Sequence, residues 1–159
     1  MNILFVCTGN TCRSPMAEGI FKSMLEERNI ESMNISSAGI SAFETESANQ
    51  KAINTLIKDG INIKEHKARQ ISSEIIKDSD LILTMTSSHK NIILSSIPEL
   101  SNKIYTLKEY AYLINNENII GRNLDIADPF GGDYNIYERC ALEIKTYLEK
   151  IINNIDKIN

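Results

Sequence analysis

The chain has 159 residues, 17 Lys and Arg against 21 Asp and Glu for a formal net charge of −4, three cysteines and no tryptophan. A chain of this length is expected to form one domain over residues 1–159, able to bury about two-thirds of its unfolded surface without disulfide staples. The acidic balance argues against general nucleic-acid binding, the odd cysteine count against a secreted disulfide framework, and the lack of any run near ~18 apolar residues against a membrane span; a cytoplasmic protein with free thiols is the expectation.

Ile3 to Val6 is a continuous apolar run, as expected of a strand buried on both faces of a parallel sheet. After a short loop, Pro15 marks a first helical position. Met16, Ala17, Ile20, Phe21, Met24 and Leu25 then follow helical spacing, with Glu18, Lys22, Glu26 and Glu27 on the other side. Asn34 to Ser37 reads as a second strand ending at Gly39, and Ala48 to Asp59 as a helix stopped by Gly60. Leu81 to Met85 is a third strand, followed by a helical stretch through Ile92, Ile93 and Ile97 that stops at Pro98. Ile104 to Leu107 is a fourth strand candidate. Tyr137, Ala141, Ile144, Leu148, Ile151, Ile152 and Ile155 form the stripe of a C-terminal amphipathic helix. Strands alternating with helices imply an α/β fold, a parallel sheet covered on both faces.

Ligands of such sheets bind beyond the carboxyl ends of the strands, which directs attention to Cys7-Thr8-Gly9-Asn10-Thr11-Cys12-Arg13-Ser14-Pro15. The Cys stands where a buried strand ends, a Gly permits tight turning, and a helix follows at once. Backbone N–H groups and the helix's positive end therefore converge on one point, suited to an anion the size of phosphate. The same field favours the thiolate of Cys7. Arg13 supplies a planar fork of donors that matches two phosphate oxygens.

Cys7 to Glu18 resembles the phosphate-binding loop of the low-molecular-weight protein tyrosine phosphatases, and the similarity continues through Ser37-Ala38-Gly39, His66 to Ile71, Asp80 to Met85 and Asp128-Pro129-Phe130. The resemblance implies a four-stranded parallel sheet flanked by helices in a Rossmann-like architecture, phosphorylated proteins as substrates, and a cysteinyl-phosphate mechanism without metal or cofactor. It implies Cys7 as nucleophile, Arg13 as phosphate clamp, and Thr8, Gly9, Asn10, Thr11, Cys12 and Ser14 as the rest of the phosphate-binding loop. Ser14 would donate to the thiolate, Asn10, Ser37 and His66 would brace the loop, and Asp128 would be the general acid. The resemblance leaves the oligomeric state open.

Two departures bear on the substrate. Family members acting on phosphotyrosine usually carry a bulky aliphatic residue at the position of Thr11, and two aromatics where this chain has Phe130-Gly131. Thr11 with Asp128-Pro129-Phe130-Gly131-Gly132 resembles instead the protein arginine phosphatase branch, so phosphoarginine is the expected substrate and phosphotyrosine the alternative. A smaller, polar Thr11 accommodates the planar, hydrogen-bonding head of a phosphoramidate, and Phe130 offers a flat apolar wall, with Phe43 a weaker second. The arsenate reductases of this fold relay oxidation through an additional cysteine pair in mid-chain, and no cysteine lies between Cys12 and Cys140. A sugar-transport phosphocarrier would have no use for Asp128 as an acid. Cys12, five residues from Cys7, is placed to resolve an oxidised Cys7 as a disulfide, whereas Cys140 falls beside the apolar stripe of the last helix and reads as packing.

Overall fold

The alternation of the first strand fixes where everything else sits. In a computed structural model, which describes residues 1–158, β1 (Asn2–Cys7) turns Ile3, Phe5 and Cys7 to one face and Leu4 and Val6 to the other, all five buried. It lies inside a parallel sheet, between β2 (Asn34–Gly39) and β3 (Leu81–Thr84), with β4 (Ile104–Thr106) on the far side of β3. Phe5 pairs with Ser37 on one side and with Leu83 on the other. From β1 the chain moves to β2 on one side and later to β3 on the opposite side, so the strand order reverses at β1. Its carboxyl end is the crevice where open α/β sheets receive ligands.

One face of the sheet is covered by α1 (Arg13–Glu27), α2 (Gln50–Ile57), α5 (Leu107–Ile114) and α6 (Tyr134–Ile152), whose buried residues join Ile3, Phe5, Leu81, Leu83 and Met85 in the larger core. The other face is covered by α3 (Ser73–Asp78) and α4 (Ser87–Ser96), which pack Ile76 and Ile93 on Leu4, Val6, Ile82 and Ile104. Phe5 meets Phe21 edge-on at 6.0 Å between ring centroids, a favoured aromatic geometry that locks α1 onto β1. No helix among the described residues is long and apolar enough to cross a membrane.

The four strands and their parallel order match the expected fold, but several boundaries differ. α1 begins at Arg13, so Pro15 is its third residue, still within the first turn where a missing N–H costs no intrahelical bond. α2 is shorter than the expected 48–59 because the Asn49 side chain accepts from Lys51 N–H and caps it. Met85 lies beyond β3. Leu107 opens α5, where a capping box overrides the apolar run: Thr106 Oγ1 accepts from Glu109 N–H (3.1 Å) and Glu109 Oε2 from Thr106 N–H (3.0 Å). The short α3, started by the Ser72 cap, has too few turns for a periodic signal. Ile155 lies past the end of α6, in a 3₁₀ turn over Ile155–Lys157.

Candidate active site

β1 ends at Cys7 and α1 begins at Arg13, leaving a five-residue arch between them. The carbonyls of this arch point outward: Cys7 O accepts from Ile40 N–H, Thr8 O from Ser41 N–H, Thr11 O from Asn49 N–H and Cys12 O from Met16 N–H, at 2.8 to 3.1 Å. Asn10 O accepts from His66 Nε2 at 2.8 Å. Because each trans peptide sets its C=O and the next N–H in opposite directions, the N–H groups that follow these carbonyls are turned to the inside of the arch. The result is a concave nest of donors at a helix N-terminus, able to hold an anion.

Asn10 holds the arch from beneath. It takes up a left-handed conformation (φ 56°) that Asn tolerates better than most residues, and it is fully buried. Its amide is satisfied on every side: Oδ1 accepts from Arg69 N–H (3.0 Å), and Nδ2 donates to Ser14 Oγ and to Ser37 Oγ, each at 2.8 Å. These bonds decide where two hydroxyl protons go. Ser37 Oγ accepts from Asn10 and donates to Glu18 Oε2 at 2.6 Å. Ser14 Oγ accepts from Asn10 and has its own proton free for Cys7 Sγ, 2.9 Å away. The Cys7 sulfur therefore faces an oriented O–H donor, which stabilises negative charge on it.

Arg13 is 95% buried, with 5% relative exposure, and is positioned by a segment distant in sequence. Ile126 N–H donates to Met85 O just past β3 (2.8 Å), and Ile126 O accepts from Arg13 Nη1 at 3.0 Å. Asp125, through Oδ1, accepts from the N–H and the hydroxyl of Ser87 at the start of α4. With the segment tied at 125 and 126, Asp128 Oδ2 comes to 3.2 Å from Arg13 Nη2, while Asp128 Oδ1 accepts from Phe130 N–H. The Asp128 side chain is half exposed, so it reaches both solvent and the guanidinium.

A cleft of ≈ 290 Å³ opens above the arch. Cys7, Thr8, Gly9, Thr11, Cys12 and Arg13 line its floor, Ser41, Phe43 and Glu46 line it from the segment after β2, and Asp128 and Phe130 from the segment tied to the end of β3. The residues expected from sequence thus gather at one place. Asn10, Ser14, Ser37 and His66 lie under or behind the arch. Cys12 is buried, with its Sγ 3.3 Å from Tyr137 Oη; burial, opposed in part by that hydrogen bond, raises its thiol above the ordinary range. Cys140 is buried near Ala127 O, burial pushes its thiol up to about 12, and it lies outside the cleft, as its packing role requires.

Sequence reading missed a second layer. His89, on α4, is 6% exposed and bridges two hydroxyls, with Nε2 2.8 Å from Thr8 Oγ1 and Nδ1 2.9 Å from Thr86 Oγ1. Burial and then the nearby Arg13 guanidinium lower its pKa to about 4, so it is neutral at pH 7. Thr86 Oγ1 already accepts from His89 N–H as the α4 cap, which leaves its proton for Nδ1. In the tautomer that receives the Thr86 proton on Nδ1, the ring proton sits on Nε2 and is donated to Thr8, which frees the Thr8 proton for the cleft. Glu18 and Arg69, which braces Ser37 O through Nε, belong to the same layer. A Thr three residues before a His was the one local sign of the His89 arrangement, and it reads equally as a plain helix cap.

The model of the low molecular weight phosphotyrosine protein phosphatase family matches residues 2–159. The protein-arginine-phosphatase of Bacillus subtilis is 38% identical over 157 residues, covering 99% of this chain and 98% of that protein. The low molecular weight protein-tyrosine-phosphatase PtpB of Staphylococcus epidermidis is 36% identical over 151 residues, 95% of this chain and 96% of its own. The solved structure of YwlE arginine phosphatase, a C7S mutant with a phosphorylated active site serine, has a TM-score of 0.87 at 37% identity and covers 99% of this chain and 97% of that one.

Proposed function

Because the chain belongs to the low molecular weight phosphotyrosine protein phosphatase family, we propose that it removes phosphate from phosphoarginine in proteins through a cysteinyl-phosphate intermediate. The observation that carries the chemistry is the Cys7 sulfur at the mouth of a donor-lined arch, with the Ser14 hydroxyl 2.9 Å away and the Arg13 and Asp128 side chains paired at 3.2 Å beside it.

The phosphoryl group binds in the arch, its oxygens on the backbone N–H groups and the Arg13 fork. Cys7 thiolate attacks phosphorus, the bond from phosphorus to the guanidinium nitrogen breaks, and Asp128 in its acid form gives its proton to that nitrogen. Asp128, now a carboxylate, takes a proton from water as the water oxygen attacks the cysteinyl phosphate. The sulfur–phosphorus bond breaks, the thiolate returns to its Ser14 donor, and inorganic phosphate leaves. A general acid of this kind supplies about 10²–10⁴-fold, and the donors fixed in advance around the phosphoryl oxygens supply stabilisation as charge moves to the bipyramidal transition state. These groups come from one chain wrapped about one sheet, so residues 1–159 act as a single phosphatase domain, in a reducing cytoplasm that keeps Cys7 a thiol.

Thr11 on the cleft floor and Phe130 and Phe43 at its rim favour a planar phosphoguanidinium over a deep aromatic slot, and the arginine phosphatase of B. subtilis supports the same choice. The test compares kcat/KM on one peptide carrying either phosphoarginine or phosphotyrosine, for the parent and for Thr11→Ile. The parent is expected to prefer phosphoarginine by at least about tenfold, a difference of ~1.4 kcal/mol in the barrier, and Thr11→Ile to shrink that preference. Equal or better phosphotyrosine turnover by the parent would return the chain to the tyrosine phosphatases, the reading that the PtpB relative favours.

A further inference from the structure

We propose that Glu46 is a specificity-determining residue of this cleft, pairing with the cationic leaving group and repelling phosphate esters whose leaving group is uncharged. The inference rests on the phosphoarginine reading above and deepens it. Glu46 lines the cleft together with Asp128. Two carboxylates at a site for a phosphoryl dianion are an electrostatic contradiction unless each has a partner. Asp128 has Arg13 at 3.2 Å. The Glu46 carboxylate makes no hydrogen bond or ion pair among the described residues, and the residue is exposed.

The backbone around Glu46 is held in a conformation that its sequence does not favour. Thr45, a β-branched residue, sits at φ 69°, in the left-handed region where such residues are outliers. Hydrogen bonds on either side enforce it: Thr45 N–H donates to Ala68 O and Ala68 N–H to Glu46 O, both at 2.8 Å. Through this reversal Phe43 and Glu46, rather than Glu44, face the cleft. Phe43 and Phe130 are 79% and 73% exposed there, flat apolar surfaces at the rim without a covering group of their own.

These features match one ligand chemistry. A phosphorylated guanidinium carries its dianion and its planar cation side by side. With the phosphoryl group in the arch, the cation's face lies against an aromatic ring and its N–H edges are open to a carboxylate. Glu46 supplies that carboxylate. A phosphotyrosine places an uncharged ring at the same height, and Glu46 then meets only the dianion, so the residue discriminates by repulsion as well as by attraction.

The test measures kcat/KM for the parent, Glu46→Gln and Glu46→Asp on a peptide with neutral flanking residues, carrying either phosphoarginine or phosphotyrosine. Neutral flanks remove any other cation that Glu46 could read. Glu46→Gln is expected to lower the phosphoarginine to phosphotyrosine ratio by roughly five- to tenfold, mostly through KM for phosphoarginine, as befits an exposed pair that becomes partly desolvated on binding. Glu46→Asp is expected to retain part of the ratio. A ratio within twofold of the parent's, or equal losses on both peptides, overturns the inference. The parent's own ratio tests the phosphoarginine reading, and the change in that ratio tests Glu46, so the two failures are distinguishable.

Discussion

At the scale of single residues, the behaviour of the site depends on groups whose protonation the fold fixes. His89 is the clearest. In the unfolded chain it takes a proton near pH 6.5, while in the fold burial and the Arg13 guanidinium, offset in part by Asp128 and Asp125, hold it down to about 4. A depressed histidine contributes stability that is complete above pH 6.5 and is lost as the pH falls toward 4, because only the unfolded chain then binds the proton. Unfolding free energies from urea titrations at pH 7.5 and 4.5 are expected to show a larger loss for the parent than for His89→Gln, by about 2.5 kcal/mol, because roughly two pH units of the window between the unfolded and folded values are crossed at ~1.4 kcal/mol each. An equal acid limb in both proteins would mean that His89 titrates normally. Little of this layer was legible in the sequence. Cys7, Arg13 and Ser14 are read from one contiguous segment, whereas His89, Glu18 and Arg69 come from α4, α1 and the chain beyond β2, and as isolated letters each is an ordinary polar residue. Their roles arise only from the bonds that the fold brings about.

At the scale of elements, strands are the easiest to read and the segment that carries Asp128 the hardest. Ile3 to Cys7 of β1 and Leu81 to Leu83 of β3 are apolar because both faces of the sheet are buried there, and that pattern survives in the bare sequence. The stretch from 115 to 133 contains no helix or strand and has no periodicity, so Asp128 was placed by its resemblance to a known motif and by nothing in the pattern. Physically the segment is held by point contacts: Asp125 on Ser87, Ile126 between Met85 and Arg13, and Lys51 Nζ donating to Gly132 O at 2.6 Å. Gly131, at φ 80°, makes the turn that returns the chain to the Asp133 cap of α6. Lys51 reaches across from α2 and ties the segment at Gly132, beyond Asp128 from the ties at 125 and 126. Lys51→Met keeps the aliphatic stem and removes the donor. It is expected to lower kcat/KM on phosphoarginine peptides about three- to tenfold while changing global stability by no more than ~1 kcal/mol. Unchanged turnover would show that the ties at 125 and 126 hold Asp128 without help.

At the scale of the whole molecule, an acidic chain of net charge −4 can offer a site suited to an anion because the attraction is local. It comes from backbone donors, one helix N-terminus and one buried guanidinium, gathered where the strand order reverses at the end of β1. The sheet and the site are therefore mechanically one object, and Gly39 is where they meet. It ends β2 opposite Cys7, its N–H donates to Arg69 O and its O accepts from Ile71 N–H. A Cβ placed on it would lie 2.5 Å from Thr8 O, 2.9 Å from Ala42 Cβ and 3.0 Å from Asn10 N. Two of these neighbours are backbone atoms of the arch, so the added carbon can be accommodated only by moving the arch away from β2. Gly39→Ala is expected to cut kcat/KM about a hundredfold, the scale on which a misplacement of ~1 Å acts, while the protein still unfolds cooperatively. Gly60→Ala is the contrasting case. Gly60 has a φ of 77° with open space around its missing side chain and does not line the cleft, so a methyl there strains the backbone alone. Its cost is expected in stability, about 1 kcal/mol, with kcat/KM unchanged. If the two variants lost activity in proportion to their loss of stability, the close approach at Gly39 would be a packing detail and not the joint that sets the loop.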